Sequence, residues 1–232
     1  MHNTKVLDNK CGGMEFIRNA EKLNVAASLK AHDPDYSTFY AGKYLNNYGT
    51  RKVGGVEHIP PGWDQWYGLV GNSKYYGYTV SNNGVAEKHG HDYAKDYFTD
   101  RVANRSLEFM SAALEKKNPF FMMVATPASH GPNIPAPQYA ETYAGRKAPR
   151  LPSFNVTGQS DKHYLLREII PLDAGHANVS DVYFQRRWSV LRSVDDMVGR
   201  LVEKLKAAGE FDNTYFIYSS DHGCASPRRL PC

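Results

Sequence analysis

Thr214-Tyr215-Phe216-Ile217-Tyr218-Ser219-Ser220-Asp221-His222-Gly223 is the stretch on which the fold turns. Its first seven residues are aromatic, β-branched or small, and they predict a buried strand. The strand would release a carboxylate and an imidazole at its carboxyl end through a glycine. Open α/β sheets place their ligand sites at that end. An oxygen and a nitrogen donor side by side can also contribute to a metal shell. Only nine residues follow, Cys224 to Cys232, and their pattern predicts a divergent tail.

Working outward, helices and strands alternate. Asn24 caps an expected helix over Val25–His32, which Asp33-Pro34 ends. Ser37–Ala41 reads as a strand delivering Gly42-Lys43. Residues 46–92, rich in Gly, Pro, Tyr and Asn, read as long loops with short strands. A helix over about Asp96–Lys116 carries Phe98, Val102, Phe109 and Ala113 near one face. Pro119–Thr126 is a second buried strand, ending at Pro127-Ala-Ser-His130-Gly-Pro132. A proline-rich surface excursion over 131–180 leads to a helix over Val182–Ala208, with Phe184, Trp188, Leu191, Val194, Val198, Leu201 and Leu205 at spacings of three and four. Gly209 stops it. This order predicts an α/β fold, a mostly parallel sheet with helices on both faces. Three strands then end in Lys43, His130 and Asp221-His222.

The 232 residues suffice for one core, and 41% hydrophobic content is ordinary for a globular chain. A net charge of +4 with scattered basic residues excludes a nucleic-acid footprint. No apolar stretch reaches the roughly 20 residues of a transmembrane helix. Met1–Asp8 lacks the apolar region of a signal peptide. The three cysteines fit no zinc spacing. Sequons stand at Asn104, Asn155 and Asn178, close to the number composition alone supplies.

Other motifs yield to simpler readings. Ala41-Gly-Lys-Tyr44 lacks the glycine and hydroxyl of a phosphate loop. Asp195-Asp196 lie on adjacent helix positions about 100° apart, unsuited to one ion. His89-Gly-His91 has metal-binding residue types within a polar loop. Tyr75, Tyr76 and Tyr78 suit either sugar stacking or strand packing.

Taken together, the segments resemble the sulfatase family, in its N-acetylglucosamine-6-sulfatase and extracellular heparan endosulfatase branch. The resemblance rests on Ala41-Gly-Lys-Tyr-Leu-Asn-Asn-Tyr-Gly49, Gly54-Gly-Val-Glu-His-Ile-Pro-Pro-Gly-Trp63, Asn72-Ser-Lys-Tyr-Tyr76, Lys88-His-Gly90 and Asp92-Tyr-Ala-Lys-Asp-Tyr-Phe-Thr-Asp100. It continues through Pro119–Pro132, Asp161-Lys-His163, Ser193-Val-Asp-Asp196 and Ser219-Ser-Asp-His-Gly223.

That resemblance implies an alkaline-phosphatase-like sulfatase fold, with residues 1–223 as a partial N-terminal catalytic domain and 224–232 as the tail. It implies hydrolysis of 6-O-sulfate from glucosamine units of heparan-type glycosaminoglycans, in a lysosomal or extracellular setting. Lys43 would stabilise sulfate charge, His130 would contact the sulfate or protonate the leaving oxygen, and His163 would line the pocket. Asp221 and His222 would be calcium ligands. The family's formylglycine arises from cysteine in Cys-x-Pro-x-Arg. That motif is absent here: Cys11 precedes Gly-Gly-Met, and Cys224 precedes Ala-Ser-Pro-Arg. The expectation is that this 232-residue chain alone folds poorly and releases no sulfate. The alternatives are a non-catalytic product binding sulfated glycans or a partner, and a metal-dependent phosphoesterase of the same superfamily.

Overall fold

The computed structural model describes residues 16–17, 20–152, 154–157, 160–167 and 170–221. Its centre is a five-stranded sheet built from β1 (Ser37–Lys43), β2 (Gln65–Leu69), β3 (Thr79–Asn82), β4 (Val85–Lys88) and β5 (Phe120–Ala125), in the order β4-β3-β2-β1-β5. β2 and β5 run parallel to β1, whereas β3 and β4 continue the sheet antiparallel, so the sheet is mixed. The hairpin turns at Asn83-Gly84, both with positive φ, as a tight antiparallel connection requires.

β1 is buried on both faces, as the middle strand of a parallel trio should be. Phe39 and Ala41 point into the main core, and Tyr40 points the other way. The main core joins Phe39, Ala41, Tyr67, Leu69 and Val80 to two helices. These are α3 (Phe98–Lys116) and α5 (Ala174–Ala208). Before them come α1 (Val25–His32), α2 (Tyr93–Asp96) and, ahead of α5, the short α4 (Tyr164–Arg167). The opposite face carries an aromatic cluster of Tyr40, Tyr48 and Trp66, packed by Tyr44, Ile59 and Trp63.

Local chemistry explains the helix limits. Asn24 accepts the Ala27 N–H at 3.0 Å, fixing the start of α1 where the sequence places it. α3 buries Phe98, Val102, Phe109 and Ala113 as the spacing predicts. α5 begins eight residues earlier than the apolar period alone implies, because Asp173 caps it by accepting the His176 N–H at 2.8 Å. Its buried stripe is Val190, Val194, Met197, Leu201 and Leu205; Trp188, expected on it, is 48% exposed.

The decisive stretch departs from expectation. Residues 214–220 form no strand, and Tyr215 and Ile217 are 98% and 89% exposed. A strand exists only where a neighbouring strand accepts its ladder, and among the described residues none pairs with this run. Composition made it sheet-competent without supplying a partner.

Candidate active site

The candidate site residues Lys43 and His130 fall at the carboxyl ends of the parallel strands. Register pairs Gly42 of β1 with Ala125 of β5. Gly42 has φ +123°, and a Cβ there would stand 1.9 Å from the Ala125 carbonyl oxygen. Only glycine permits this approach. Lys43 follows at once, at the end of β1 and only partly exposed. The Tyr40 hydroxyl donates to the Lys43 carbonyl and so pins the strand end.

The chain leaves β5 through a tight turn carrying His130. The His130 N–H donates to the Pro127 carbonyl at 2.7 Å, and the Asn133 N–H to the His130 carbonyl at 3.2 Å. Tyr75, 1% exposed, reaches across from the far loop and donates its hydroxyl to the His130 carbonyl at 2.8 Å. The imidazole itself is exposed, with Nδ1 2.7 Å from the Gly131 carbonyl oxygen. A carbonyl can only accept, so Nδ1 carries the proton in this contact. Nε2 is therefore the nitrogen presented outward.

Asp221 ends the exposed run that follows α5. Burial pushes the Tyr40 phenol well above its ordinary range, and the Asp221 carboxylate adds to the effect. His222 lies outside the described residues, as do Cys11, Cys224 and Cys232. His163 is exposed just before α4, its ring 4.3 Å from that of Tyr164.

Among the described residues there is no group of three or more His, Cys, Asp or Glu able to hold a metal. Calcium takes six to eight oxygen ligands. Asp221 alone does not meet that requirement, so the described residues do not by themselves form a calcium shell.

Several remaining motifs have structural roles. His89 contacts Glu87 at 2.8 Å through Nε2 and Asp96 at 3.3 Å through Nδ1, with Tyr78 stacked on its ring at 4.7 Å. It fastens the β3–β4 hairpin to α2 rather than forming a metal pair with His91, which faces Tyr76. Tyr75 and Tyr78 are buried packing residues, not sugar platforms. Asp195 pairs with Arg192 at 2.8 Å and Asp196 accepts from Tyr139, so the two carboxylates diverge as helix geometry requires. Of the sequon residues, all exposed, Asn104 accepts from Arg200 and Asn155 bonds both the N–H and the carbonyl of Leu172; Asn178 sits on α5.

The sequence did not single out Tyr75 as the support of the His130 turn, nor Arg187, whose Nε lies 3.4 Å from Ser129 Oγ. Buried Glu21, held by Tyr44 at 2.9 Å and His58 at 2.7 Å, was also missed. These contacts span 23 to 58 residues, beyond any local pattern.

Lys43 at the end of β1 and His130 in the turn after β5 place a cation and an imidazole at the carboxyl edge of the parallel strands, where α/β proteins hold their ligands. The chain belongs to the sulfatase family, whose model matches residues 12–228. It is 45% identical to N-acetylglucosamine-6-sulfatase of Homo sapiens, covering 96% of this chain and 41% of that protein. It is 37% identical to the extracellular sulfatase SULF-1 homolog of Drosophila melanogaster, covering 96% of this chain and 20% of that protein. The chain thus spans less than half the length of these relatives. A solved structure in complex with its substrate, D-glucosamine-2-N,6-O-disulfate, superposes with a TM-score of 0.59 at 17% identity, covering 91% of this chain and 51% of that one. The likeness to it is one of fold.

Proposed function

We propose that the protein acts in hydrolysis of 6-O-sulfate esters on glucosamine units of heparan-type glycosaminoglycans. The observation that carries this reading is that Lys43 and the His130 turn follow the neighbouring parallel strands β1 and β5 at the same edge of the sheet. The names of the relatives support the choice of ester.

In this reading Lys43 places a compact positive charge against the sulfate oxygens, where negative charge grows as the S–O bond breaks. His130, oriented through Nδ1 by the Gly131 carbonyl, donates a proton from Nε2 of its imidazolium to the departing sugar oxygen. His163 is assigned to the pocket wall, and Asp221 and His222 to the calcium that the family resemblance implies. The sequons Asn104, Asn155 and Asn178 are proposed glycan attachment points, in keeping with a lysosomal or extracellular protein. No described helix is long and apolar enough to cross a membrane.

The test is sulfate release from N-acetylglucosamine 6-sulfate by the protein expressed from its complete gene, read by ion chromatography. Lys43→Ala should lower kcat by about 10²–10³, and His130→Ala by about 10²–10⁴. Undiminished release by both variants would refute the assignment. Glycan binding without release would instead support the non-catalytic alternative, and faster phosphate-ester than sulfate-ester turnover a phosphoesterase.

A further inference from the structure

Arg187 occupies a position that helical periodicity reserves for the core. It lies three residues before Val190 and seven before Val194, both on the buried stripe of α5. A guanidinium there is directed at the sheet end rather than at solvent, and it is only partly exposed. Its Nε makes a long hydrogen bond, 3.4 Å, to Ser129 Oγ, the residue before His130. Its charge also reaches the Tyr75 phenol. Burial raises that group, Tyr97 adds to the rise, and Arg187 opposes it. The Tyr75 hydroxyl is the one that holds the His130 carbonyl. The Ser129 hydrogen bond therefore puts Arg187 beside the His130 turn, and its charge acts on the tyrosine that supports that turn.

A guanidinium is a planar fork of N–H donors, matched to two oxygens of a sulfate or carboxylate. The neighbouring Trp188, 48% exposed, points about 100° away around α5 and packs against the Tyr143 ring at 5.8 Å, so it leaves the Arg187 side of the helix clear.

We propose that Arg187 is a specificity-determining substrate contact, binding a second oxyanion of the sulfated sugar while Lys43 and His130 engage the 6-O-sulfate. The inference rests on the function proposed above. The second oxyanion has two possible sources: an N-sulfate on the same glucosamine, or the carboxylate of an adjoining uronate.

The experiment is calorimetric titration of the protein from its complete gene, in a His130→Ala background that suppresses turnover. Three ligands are compared: D-glucosamine 6-sulfate, D-glucosamine-2-N,6-O-disulfate, and a 6-O-sulfated disaccharide bearing a uronate but no N-sulfate. Arg187→Ala should weaken one of the two doubly anionic ligands by about ten- to a hundredfold, the worth of hydrogen bonds to a charged group. Affinity for the monosulfate should stay unchanged. The ligand that weakens identifies the source. Arg187→Lys, which keeps the charge and loses the fork, should fall between. With His130 intact, Arg187→Ala should raise KM for that ligand and leave kcat in place.

Equal weakening of all three ligands with a lowered melting midpoint would reduce Arg187 to a clamp on the turn and overturn the inference, as would no weakening at all. Absence of binding by any of the three ligands before Arg187 is altered would instead refute the proposed function, and this inference with it.

Discussion

Tyr75 and Gly42 show how single residues hold the site. The Tyr75 hydroxyl supports the His130 turn from 55 residues away, and its ring is 1% exposed. Tyr75→Phe keeps the packing and deletes the donor, leaving the His130 carbonyl to the Asn133 N–H alone. The expected cost is about 1 kcal/mol of stability. kcat should fall more than that loss of fold implies, because the imidazole is displaced. Urea melts and steady-state kinetics on one preparation separate the two effects. Gly42→Ala is harsher. Its Cβ would meet the Ala125 carbonyl oxygen at 1.9 Å, at a φ of +123° that L residues avoid. We expect a loss of at least about 2–3 kcal/mol from strain and forced separation of β1 and β5. An unchanged urea midpoint would mean that the two strands stand further apart at that pair.

At the scale of elements, α5 is tied to the preceding loop by an ion pair. Asp181 on α5 meets Arg150 at 2.8 and 2.9 Å and also accepts the Ala148 N–H at 2.8 Å. Burial acts to raise its pKa, but the Ala148 N–H and the Arg150 guanidinium outweigh burial and hold it below 3.8. A carboxylate depressed in the folded state contributes stability that is fully present above its unfolded pKa. That contribution is lost as pH falls through the folded value. Asp181→Asn should therefore cost roughly 1–3 kcal/mol at neutral pH. The gap to the parent protein should close below the ordinary carboxylate range, a trend that urea melts across acidic pH would reveal. A gap that widened on acidification would contradict the ion pair. Elements like α1 were legible because cap, period and stop all lie within a few residues. The first turns of α5 were not, since their residues are mostly exposed and only the Asp173 cap marks them. Lys43 and His130 were legible as residues ending strands. Tyr75, which supports the turn, and Arg187, which lies beside it, were not, because register and tertiary packing bring them there.

For the whole molecule, the run after α5 that forms no strand matters most. Tyr215, Ile217 and Tyr218 are 98%, 89% and 81% exposed, and Phe216 is 47% exposed. β5 pairs with β1 alone among the described strands, and its Met123 is 44% exposed. The sequence announced a buried strand because side-chain types report what a run can pack against, and they say nothing about whether a neighbour stands beside it. A β-prone, uncharged, exposed run together with an open sheet edge is a template for pairing between copies. The 232-residue chain should therefore self-associate with rising concentration. Tyr215→Lys combined with Ile217→Lys should suppress that association in sedimentation velocity, since charge on an exposed strand-forming run opposes edge pairing. The melting midpoint should hardly move, because neither side chain is packed. A large drop in the midpoint would show instead that these residues are buried in solution and that the run has found a strand partner.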